Sequence, residues 1–297
     1  MRNISSRIRR KIIHINKTLQ QICREVYLTW QNRFSSKKLP EITDVSSEII
    51  VSLTTHPPRI HLVYLAIETM FCQEVLPHII HLWLSLEEFP ERKLTANLRR
   101  LAKRGLKISF VEGNLRSHQK LVYALQLYPN SIILTIDDDI QYSPFWLKKL
   151  FETHIRYPQD IICYRGHYLE LGSPQKIKPY EELMDDYGKG GTDASYNLLP
   201  TGISGVLYPP HSLNAEVNNK QKCMELTPTA DDIWFKCCTL LNNRKSRRVF
   251  DKNIYFNTTR RSQNKALYKM NVLQGKNDIQ LEKSFNEFNL YHLLAEE

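Results

Sequence analysis

The 297-residue sequence lacks several features that define large classes of proteins. No apolar run approaches the roughly 20 residues that a membrane-spanning helix needs, so an integral membrane protein is not expected. Neither a G-x-G-x-x-G fingerprint nor a P-loop lysine motif occurs, which argues against a standard dinucleotide fold and a P-loop fold. The six cysteines show no C-x-x-C spacing, and no signal peptide is recognised. Reduced thiols in a cytoplasm are therefore expected.

The excess of basic over acidic residues is almost confined to the first 40 residues. Of the chain's 41 Lys and Arg and 31 Asp and Glu, residues 1–40 contain ten basic residues and one acid, so residues 41–297 carry 31 basic and 30 acidic side chains. Because this body is nearly neutral, only the first segment could contact nucleic-acid phosphates, and a nucleic-acid-binding protein is not expected. The apolar content of 42% is ordinary for a globular chain of one large or two small domains.

The first segment has the pattern of a basic helix with one apolar stripe. Its apolar residues recur at spacings of three and four, which places them on one face. Such a helix suits an anionic membrane surface, but the same stripe could form a coiled-coil seam or pack on the body of the protein. We interpret residues 1–46 as a basic amphipathic arm and linker. The stripe consists of Ile4, Ile8, Ile12, Ile15, Leu19, Ile22, Val26, Trp30 and Phe34.

From residue 48 onward, apolar strands alternate with amphipathic helices. This alternation predicts βαβ units and hence an α/β fold with a mostly parallel central sheet flanked by helices. The predicted strands cover 49–53, 79–84, 106–111 and 132–136, and the predicted helices cover 60–71, about 94–101 and 118–127.

Three carboxylates end the fourth predicted strand. The apolar run of residues 132–136 is typical of a buried strand and leads directly into Asp137, Asp138 and Asp139. Ligands bind beyond the carboxyl ends of strands in open α/β sheets. Adjacent acids repel each other unless a cation neutralises them, and a divalent ion held by oxygen ligands would do so. The sequence therefore indicates a metal site, with a solvated acidic turn as the alternative.

The chain is less regular after these acids. A helix is predicted at 145–157 and a short strand at 161–164, whereas residues 165–200 are interpreted as a long loop that could cover the site. A strand entered through Gly202 and Gly205 follows. These glycines could let a ligand approach the backbone, or they could form a simple bulge.

A second acidic pair precedes a predicted helix that runs through residue 240. Thr229 or Asp231 could cap this helix, which would place Asp232 in its first turn. There the positive end of the helix dipole is expected to keep Asp232 ionised and available as a base.

Several of these segments together resemble a GT-A glycosyltransferase, and more narrowly the bacterial enzymes related to glycosyltransferase family 2 that build capsular and lipopolysaccharide glycans. The resemblance covers about residues 48–240. The family's acidic pair is usually Glu-Asp, whereas this chain has Asp231-Asp232. The matching pieces are Val51–Arg59, Leu82–Ser85, Thr135–Asp139 with Tyr142, Gly205–Pro210 and Ala230–Trp234.

The resemblance implies a metal-dependent, inverting transfer of a hexose from a nucleoside-diphosphate sugar, with a UDP-sugar favoured. Mn²⁺ or Mg²⁺ would be bound by Asp139 together with Asp137 or Asp138, and Asp137 would also face the ribose. The acceptor would be a glycan or a lipid-linked sugar, and the enzyme would be peripheral on the inner face of the bacterial cytoplasmic membrane. Residues 47–140 would form the nucleotide-sugar-binding half and 141–297 the acceptor-binding half.

The remaining roles fall on individual residues. Asp232 would be the catalytic base, and Asp231 its alternative. Thr54, Arg59, Glu112, Lys120 and Asp138 are expected on the donor side. For a direct phosphate contact by Arg59 or Lys120, however, a solvated cation is the favoured alternative. Gly202, Gly205 and Trp234 are expected on the acceptor side.

A competing class is a magnesium-dependent phosphatase of the haloacid-dehalogenase type, in which a D-x-D supplies a nucleophilic Asp. That chemistry usually places the motif on the first strand and follows it with Gly-Thr. Here the motif lies on the fourth predicted strand, and Ile140-Gln141 follows. The phosphatase is therefore the less favoured interpretation.

Overall fold

The computed structural model describes residues 2–40, 48–184, 191–262 and 275–295, and in the first helix it describes side chains from residue 16 onward. The first half of the chain forms α1 (Arg2–Phe34), β1 (Ile49–Thr54), α2 (Val63–Phe71), β2 (Ile79–Ser85), α3 (Ala96–Lys103), β3 (Leu106–Val111), α4 (Gln119–Leu127) and β4 (Ile132–Thr135). The second half begins with β5 (Ile140–Gln141), α5 (Trp146–Arg156), β6 (Ile161–Cys163), β7 (Gly166–Tyr168), β8 (Leu171–Ser173), β9 (Lys176–Ile177) and α6 (Tyr180–Leu183). It continues with β10 (Leu198–Pro200), β11 (Val206–Tyr208), α7 (Lys220–Leu226), α8 (Asp231–Leu241), β12 (Ser246–Arg248), β13 (Asn257–Thr258), α9 (Lys276–Phe288) and α10 (Tyr291–Ala295).

Seven strands form the central sheet, in the order β12-β6-β11-β4-β1-β2-β3. Only β11 runs antiparallel to its neighbours, while the other adjacent pairs are parallel. The prediction of an α/β fold with a mostly parallel central sheet flanked by helices is confirmed. The strand that carries the three acids is the fourth along the chain and lies between β1 and β11 in the sheet.

The sheet is covered on both faces because its central strands alternate their apolar side chains. Val51 and Leu134 belong to a buried cluster with residues of α2, α3 and α5. Their sequence neighbours Ile50 and Ile133 belong to a second cluster with residues of α4, α7 and α8. Since successive side chains of a strand point to opposite faces, a fully apolar strand such as β4 must be buried on both sides. Its polar continuation, residues 137–139, then leaves the sheet at the carboxyl edge.

Helix α1 is present as predicted, and its second half packs on the body through a face other than the predicted stripe. Leu28 and Asn32 are buried, and Asn32 Nδ2 donates to Glu68 Oε1 at 3.0 Å. Glu68 is also paired with Arg104, at 2.6 Å. Deleting residues 1–40 would leave this buried pair without its amide partner, so the helix is part of the fold.

The predicted stripe of α1 faces outward where its side chains are described. Leu19, Val26, Trp30 and Phe34 are between 53% and 63% exposed, whereas Ile4, Ile8, Ile12 and Ile15 lie outside the described side chains. The stripe is therefore not used for packing on the body over residues 19–34, except at the partly buried Ile22. Within the described residues, no helix is both long enough and apolar enough to cross a bilayer.

The interpretation of residues 165–200 as one long loop is wrong. The segment forms β7, which pairs with β10, and a small hairpin of β8 and β9, followed by α6. Strands of two or three residues are too short to show the alternation on which a sequence prediction depends. Residues 185–190 of this segment lie outside the described residues.

Candidate active site

The three acids occupy the turn between β4 and β5. Asp138 and Asp139 are buried, and Asp137 is partly exposed. The backbone N–H of Asp137 donates to Tyr142 Oη at 3.0 Å, and the carbonyl of Asp139 accepts from the N–H of Thr259 at 2.5 Å. These backbone bonds hold the turn from both sides of the site.

Arg59 neutralises part of this acidic turn. It ends a short 3₁₀ turn, Pro57–Arg59, that follows β1 after two intervening residues. Its Nη1 lies 2.7 Å from Asp138 Oδ1, and its Nη2 lies 3.1 Å from Asp139 Oδ2. Burial opposes the charge of Arg59, but attraction by Asp138 and Asp139 outweighs this and raises the pKa of Arg59. The expectation of a solvated cation is therefore wrong for Arg59.

Lys120 joins the acidic turn to the second acidic pair. It lies in the first turn of α4 and is only 4% exposed, which also contradicts the expectation of a solvated cation. Its Nζ lies 2.8 Å from Asp137 Oδ1 and 2.9 Å from Asp231 Oδ2. Burial disfavours the ammonium, yet Asp137 and Asp231 raise the pKa of Lys120 well above its ordinary value. The lysine therefore remains charged as the shared counter-cation of two chain segments.

The second acidic pair begins α8, but neither acid caps it. Residue 230, an alanine, occupies the capping position without a side-chain hydrogen bond. Asp231 and Asp232 both lie in the first turn, so the prediction that Thr229 or Asp231 caps the helix is wrong. Asp231 turns toward Lys120, whereas Asp232 Oδ1 accepts from the N–H of Gly202 at 2.9 Å.

The environments of the two acids push their pKa values apart. Burial would raise the pKa of Asp231, but attraction by Lys120 and by His118 lowers it below its ordinary value. For Asp232, burial together with repulsion from Asp231 raises the pKa to about 8, against a weaker effect of Lys120. The direction of this shift is opposite to the expectation that the helix dipole keeps Asp232 ionised. When the pKa values of two neighbouring carboxyls are separated in this way, one can serve as a fixed negative charge and the other as a proton acceptor. Here Asp231 suits the first role and Asp232 the second.

Gly202 lies where the two acidic groups meet. A Cβ atom at this position would lie 2.9 Å from Lys120 Nζ, 3.2 Å from Asp232 Oδ1 and 3.6 Å from Asp137 Oδ1. All three groups therefore surround one point beside the backbone of residue 202. No side chain fits there without displacing Lys120, which explains why the position carries glycine.

The donor atoms in this turn are suitable for a divalent metal ion. Asp137 and Asp139 offer the carboxylate oxygens that Mg²⁺ and Mn²⁺ prefer, and Mg²⁺ sites often use only one or two carboxylates together with substrate phosphates. Burial, partly offset by Arg59, raises the pKa of Asp139 to about 6, so Arg59 alone does not fully compensate its charge. Among the described residues, no group of three or more His, Cys, Asp or Glu side chains is arranged to hold a metal ion.

Other residues expected at the site have different surroundings. Trp234 is 0% exposed and belongs to the core, so it does not face an acceptor as expected. Gly205 has a φ of 86°, and a Cβ there would lie 2.3 Å from the Trp146 ring, so packing against tryptophan accounts for this glycine. Glu112 is exposed after β3, the edge strand on the far side of β1 and β2.

The end of β1 contributes two threonines to this region. Thr54 Oγ1 donates to the carbonyl of Trp83 at 2.8 Å, and Thr55 Oγ1 donates to Asp138 Oδ2 at 2.5 Å. Thr54 was predicted at the donor side, whereas Thr55 was not predicted at the site. The position of Thr55 between β1 and Arg59 was the signal in the sequence that could have indicated it.

Ser262 was also not singled out. Its side chain hydrogen-bonds Asp139 and opposes the rise of the pKa of that carboxyl. No pattern in the sequence around Ser262 points to this contact, because it depends on the way in which the segment after β13 returns to the acidic turn.

Comparisons with known proteins give similarities to solved structures only. No protein-family model matches the chain, and no curated protein matches its sequence. S. aureus TarS 1-349 is 16% identical with a TM-score of 0.43, over 71% of this chain and 59% of that chain. The present chain therefore spans less than two thirds of that structure's length.

Two further structures are similar at lower identity. The mannosyltransferase PcManGT from Pyrobaculum calidifontis, in complex with GDP-Man and Mn²⁺, is 12% identical with a TM-score of 0.46, over 96% of this chain and 84% of that chain. An apo UDP-glucose pyrophosphorylase is 10% identical with a TM-score of 0.39, over 82% of this chain and 98% of that chain. At these scores the similarities assign neither an activity nor a substrate to this chain.

Proposed function

We propose that this chain is a GT-A-type, metal-dependent glycosyltransferase that moves a hexose from a nucleoside-diphosphate sugar, preferably a UDP-sugar, to a glycan or lipid-linked acceptor. The observation that carries the proposal is the position of Lys120 between Asp137 and Asp231. Through this lysine, the acids after β4 and the acids that begin α8 belong to one site, although about ninety residues separate them in the chain. Sugar transfer from a diphosphate requires both a cation-binding group and a base.

The donor would bind at the acidic turn after β4. Asp139 and Asp137 are the residues that would hold Mn²⁺ or Mg²⁺, and the bound ion would neutralise the negative charge of the departing diphosphate. Asp137, which is the most exposed of the three acids, would also face the ribose. Thr54 lies at the same end of β1, and Arg59 presents a guanidinium there that suits phosphate oxygens.

The acceptor hydroxyl would lose its proton to Asp232. Its pKa of about 8 lies close to a working pH, which is favourable for a general base. The neighbouring Asp231 is held by Lys120 and would stay ionised as the fixed charge. A base that is a different residue from the metal-binding acids fits a single displacement that inverts the anomeric carbon.

The acceptor would be part of a bacterial surface polysaccharide such as a capsule or lipopolysaccharide. Helix α1 supports this proposal because its outer face is apolar over residues 19–34, and residues 1–40 have a net charge of +9. Apolar residues beside basic ones suit the headgroup region of an anionic bilayer. The helix would thereby place the enzyme on the inner face of the cytoplasmic membrane, next to a lipid-linked acceptor.

A binding experiment tests the donor site. Wild-type protein is titrated with UDP and with GDP, in the presence of Mn²⁺ or EDTA, and heat release and thermal unfolding are followed. We expect one of the nucleotides to bind and to raise the unfolding temperature only with Mn²⁺. Asp139→Asn should remove this effect without unfolding the protein. Equal Mn²⁺-dependent binding by Asp139→Asn would contradict the assignment of Asp139.

A further inference from the structure

We infer that Arg59 competes with the divalent metal ion for Asp139, so that the ion binds weakly alone and binds tightly only together with a nucleoside diphosphate. The inference rests on the proposed function, because it concerns the order in which ion and donor enter that same site. It assigns to Arg59 a role beyond contact with the donor, namely control of metal affinity.

The contacts of Arg59 carry the inference. Its two terminal nitrogens are divided between two carboxylates, with Nη1 at 2.7 Å from Asp138 and Nη2 at 3.1 Å from Asp139. The oxygen that faces Nη2 is Asp139 Oδ2, on the residue expected to bind the metal. A guanidinium and a divalent ion both need a carboxylate lone pair at close range, and their positive charges repel each other. Arg59 in this position therefore lowers the affinity of Asp139 for a metal ion.

Of the two cations that pair with these acids, Arg59 is the one that can move when a metal ion binds with a diphosphate. Arg59 pairs with Asp138 and Asp139, and Lys120 pairs with Asp137 and Asp231. Lys120 is 4% exposed and is fixed by two acids. The Arg59 side chain is 18% exposed, so it has a solvent-facing side toward which it can rotate.

Exchange at Asp139 would not leave Arg59 without a partner. Asp138 accepts from both Arg59 and Thr55, so Arg59 can keep its bond to Asp138 while its Nη2 leaves Asp139. The released nitrogen would then be able to donate to an oxygen of the diphosphate, which is the ligand geometry that arginine favours. A metal ion without nucleotide offers no such replacement partner, and this is why we expect it to bind weakly alone.

The matched variant is Arg59→Gln, which removes the charge and retains a polar side chain. Binding of Mn²⁺ alone is measured from the loss of the free-ion signal in electron paramagnetic resonance, so that no catalytic readout is needed. We expect Arg59→Gln to bind Mn²⁺ at least roughly tenfold more tightly than wild type. A cation beside a carboxylate lowers its proton affinity by about tenfold or more, and the same repulsion acts on a metal ion. Lys222→Gln controls for a unit change in net charge, because Lys222 pairs with Glu287 at the surface, and it should bind Mn²⁺ like wild type.

A second variant locates the effect. Arg59→Gln combined with Asp139→Asn should lose the gain in Mn²⁺ affinity, and circular dichroism should show that each variant is folded. Unchanged Mn²⁺ affinity in folded Arg59→Gln, or a gain that persists in the double variant, would overturn the inference. If wild type binds Mn²⁺ with UDP or GDP in the same titration, the proposed donor site stands even when the inference fails. If neither wild type nor Arg59→Gln binds Mn²⁺ with or without nucleotide, both are overturned.

Discussion

Lys120 Nζ lies 2.9 Å from Asp231 Oδ2 and thereby ties the first turn of α4 to the first turn of α8. The ammonium is buried, and the same atom lies 2.8 Å from Asp137. Removing one partner of a buried ion pair leaves an uncompensated charge, which is strongly destabilising. The integrity of the site and the stability of the fold therefore depend on the same side chain.

The first prediction concerns that side chain. Lys120→Met should lower the free energy of unfolding by about 3–5 kcal/mol, because Asp231 and Asp137 would lose their buried counter-cation. Urea titration followed by circular dichroism measures this loss. Lys222→Met removes a lysine from a surface ion pair and should lower the stability far less, because exposed ion pairs contribute little. Equal effects of the two substitutions would show that the Lys120 contacts do not contribute as described.

The second prediction concerns the space beside residue 202. Gly202→Ala should lower both stability and turnover, because the added methyl group would lie 2.9 Å from Lys120 Nζ and 3.2 Å from Asp232 Oδ1 and would force these groups apart. Gly191→Ala is the matched control, since no atom of the described residues lies within 4 Å of a Cβ at that position. Thermal unfolding and donor turnover of both variants test this, and a neutral Gly202→Ala would contradict the described packing.

The third prediction follows from the raised pKa of Asp232. The folded protein holds this proton up to about pH 8, whereas the reference value is 3.8. Between these values the native state binds more protons than the unfolded state, so this group makes stability fall as pH rises. Asp232→Asn should therefore gain stability relative to wild type as the pH increases from 4 to 8, and the gain should level off above pH 8.

Unfolding by urea at pH 5, 7 and 9 measures this difference. A constant difference between Asp232→Asn and wild type at all three values would contradict the raised pKa. The same ionisation should appear in the activity, because a base must be deprotonated to work. We expect kcat/KM of the wild type to rise with pH until Asp232 is ionised.

The fourth prediction separates the two faces of α1. Replacing Leu19, Trp30 and Phe34 by Ser should weaken binding to phosphatidylglycerol vesicles without lowering the unfolding temperature, because these side chains are exposed. Asn32→Ala should lower stability by about 1–3 kcal/mol, because a buried hydrogen bond to Glu68 is lost. Vesicle sedimentation and thermal unfolding report the two effects.

Leu127→Ser is the control for that experiment, since Leu127 is an exposed leucine on α4 and its loss should leave vesicle binding unchanged. Equal sedimentation of the triple variant and wild type would contradict the membrane proposal for α1. Point substitutions are needed here because deletion of residues 1–40 would also remove the buried Leu28 and Asn32.

Much of the fold was predictable because the first half of the chain has long apolar strands and regular helices. The strand at residues 132–136 is an example, since its burial on both faces requires continuous apolar residues, and β4 lies at the centre of the sheet. The second half was less predictable because β7 to β10 have only two or three residues each. Such strands are formed by tertiary contacts rather than by a local pattern.

The sequence predicted which acidic residues belong to the site but not which cations pair with them. The positions of Asp137–Asp139 after a buried strand and of the pair at 231–232 before a helix were sufficient to indicate a functional role. Whether Lys120 is solvated or buried depends on how α4 packs between these two acidic groups. No local sequence pattern specifies the distance from α4 to either group. Trp234 was predicted on the acceptor side because it lies within a matching motif, but it is buried in the core.

The most direct test of the account compares turnover and product of wild type, Asp231→Asn and Asp232→Asn with the nucleotide sugar that binding selects. Nuclear magnetic resonance follows donor consumption and the anomeric configuration of the product. We predict inversion by the wild type, a kcat that is roughly 10²–10⁴-fold lower for Asp232→Asn with donor binding retained, and mainly a loss of stability, of about 1.5–3 kcal/mol, for Asp231→Asn. Retention of configuration, or a fully active Asp232→Asn enzyme, would contradict the account.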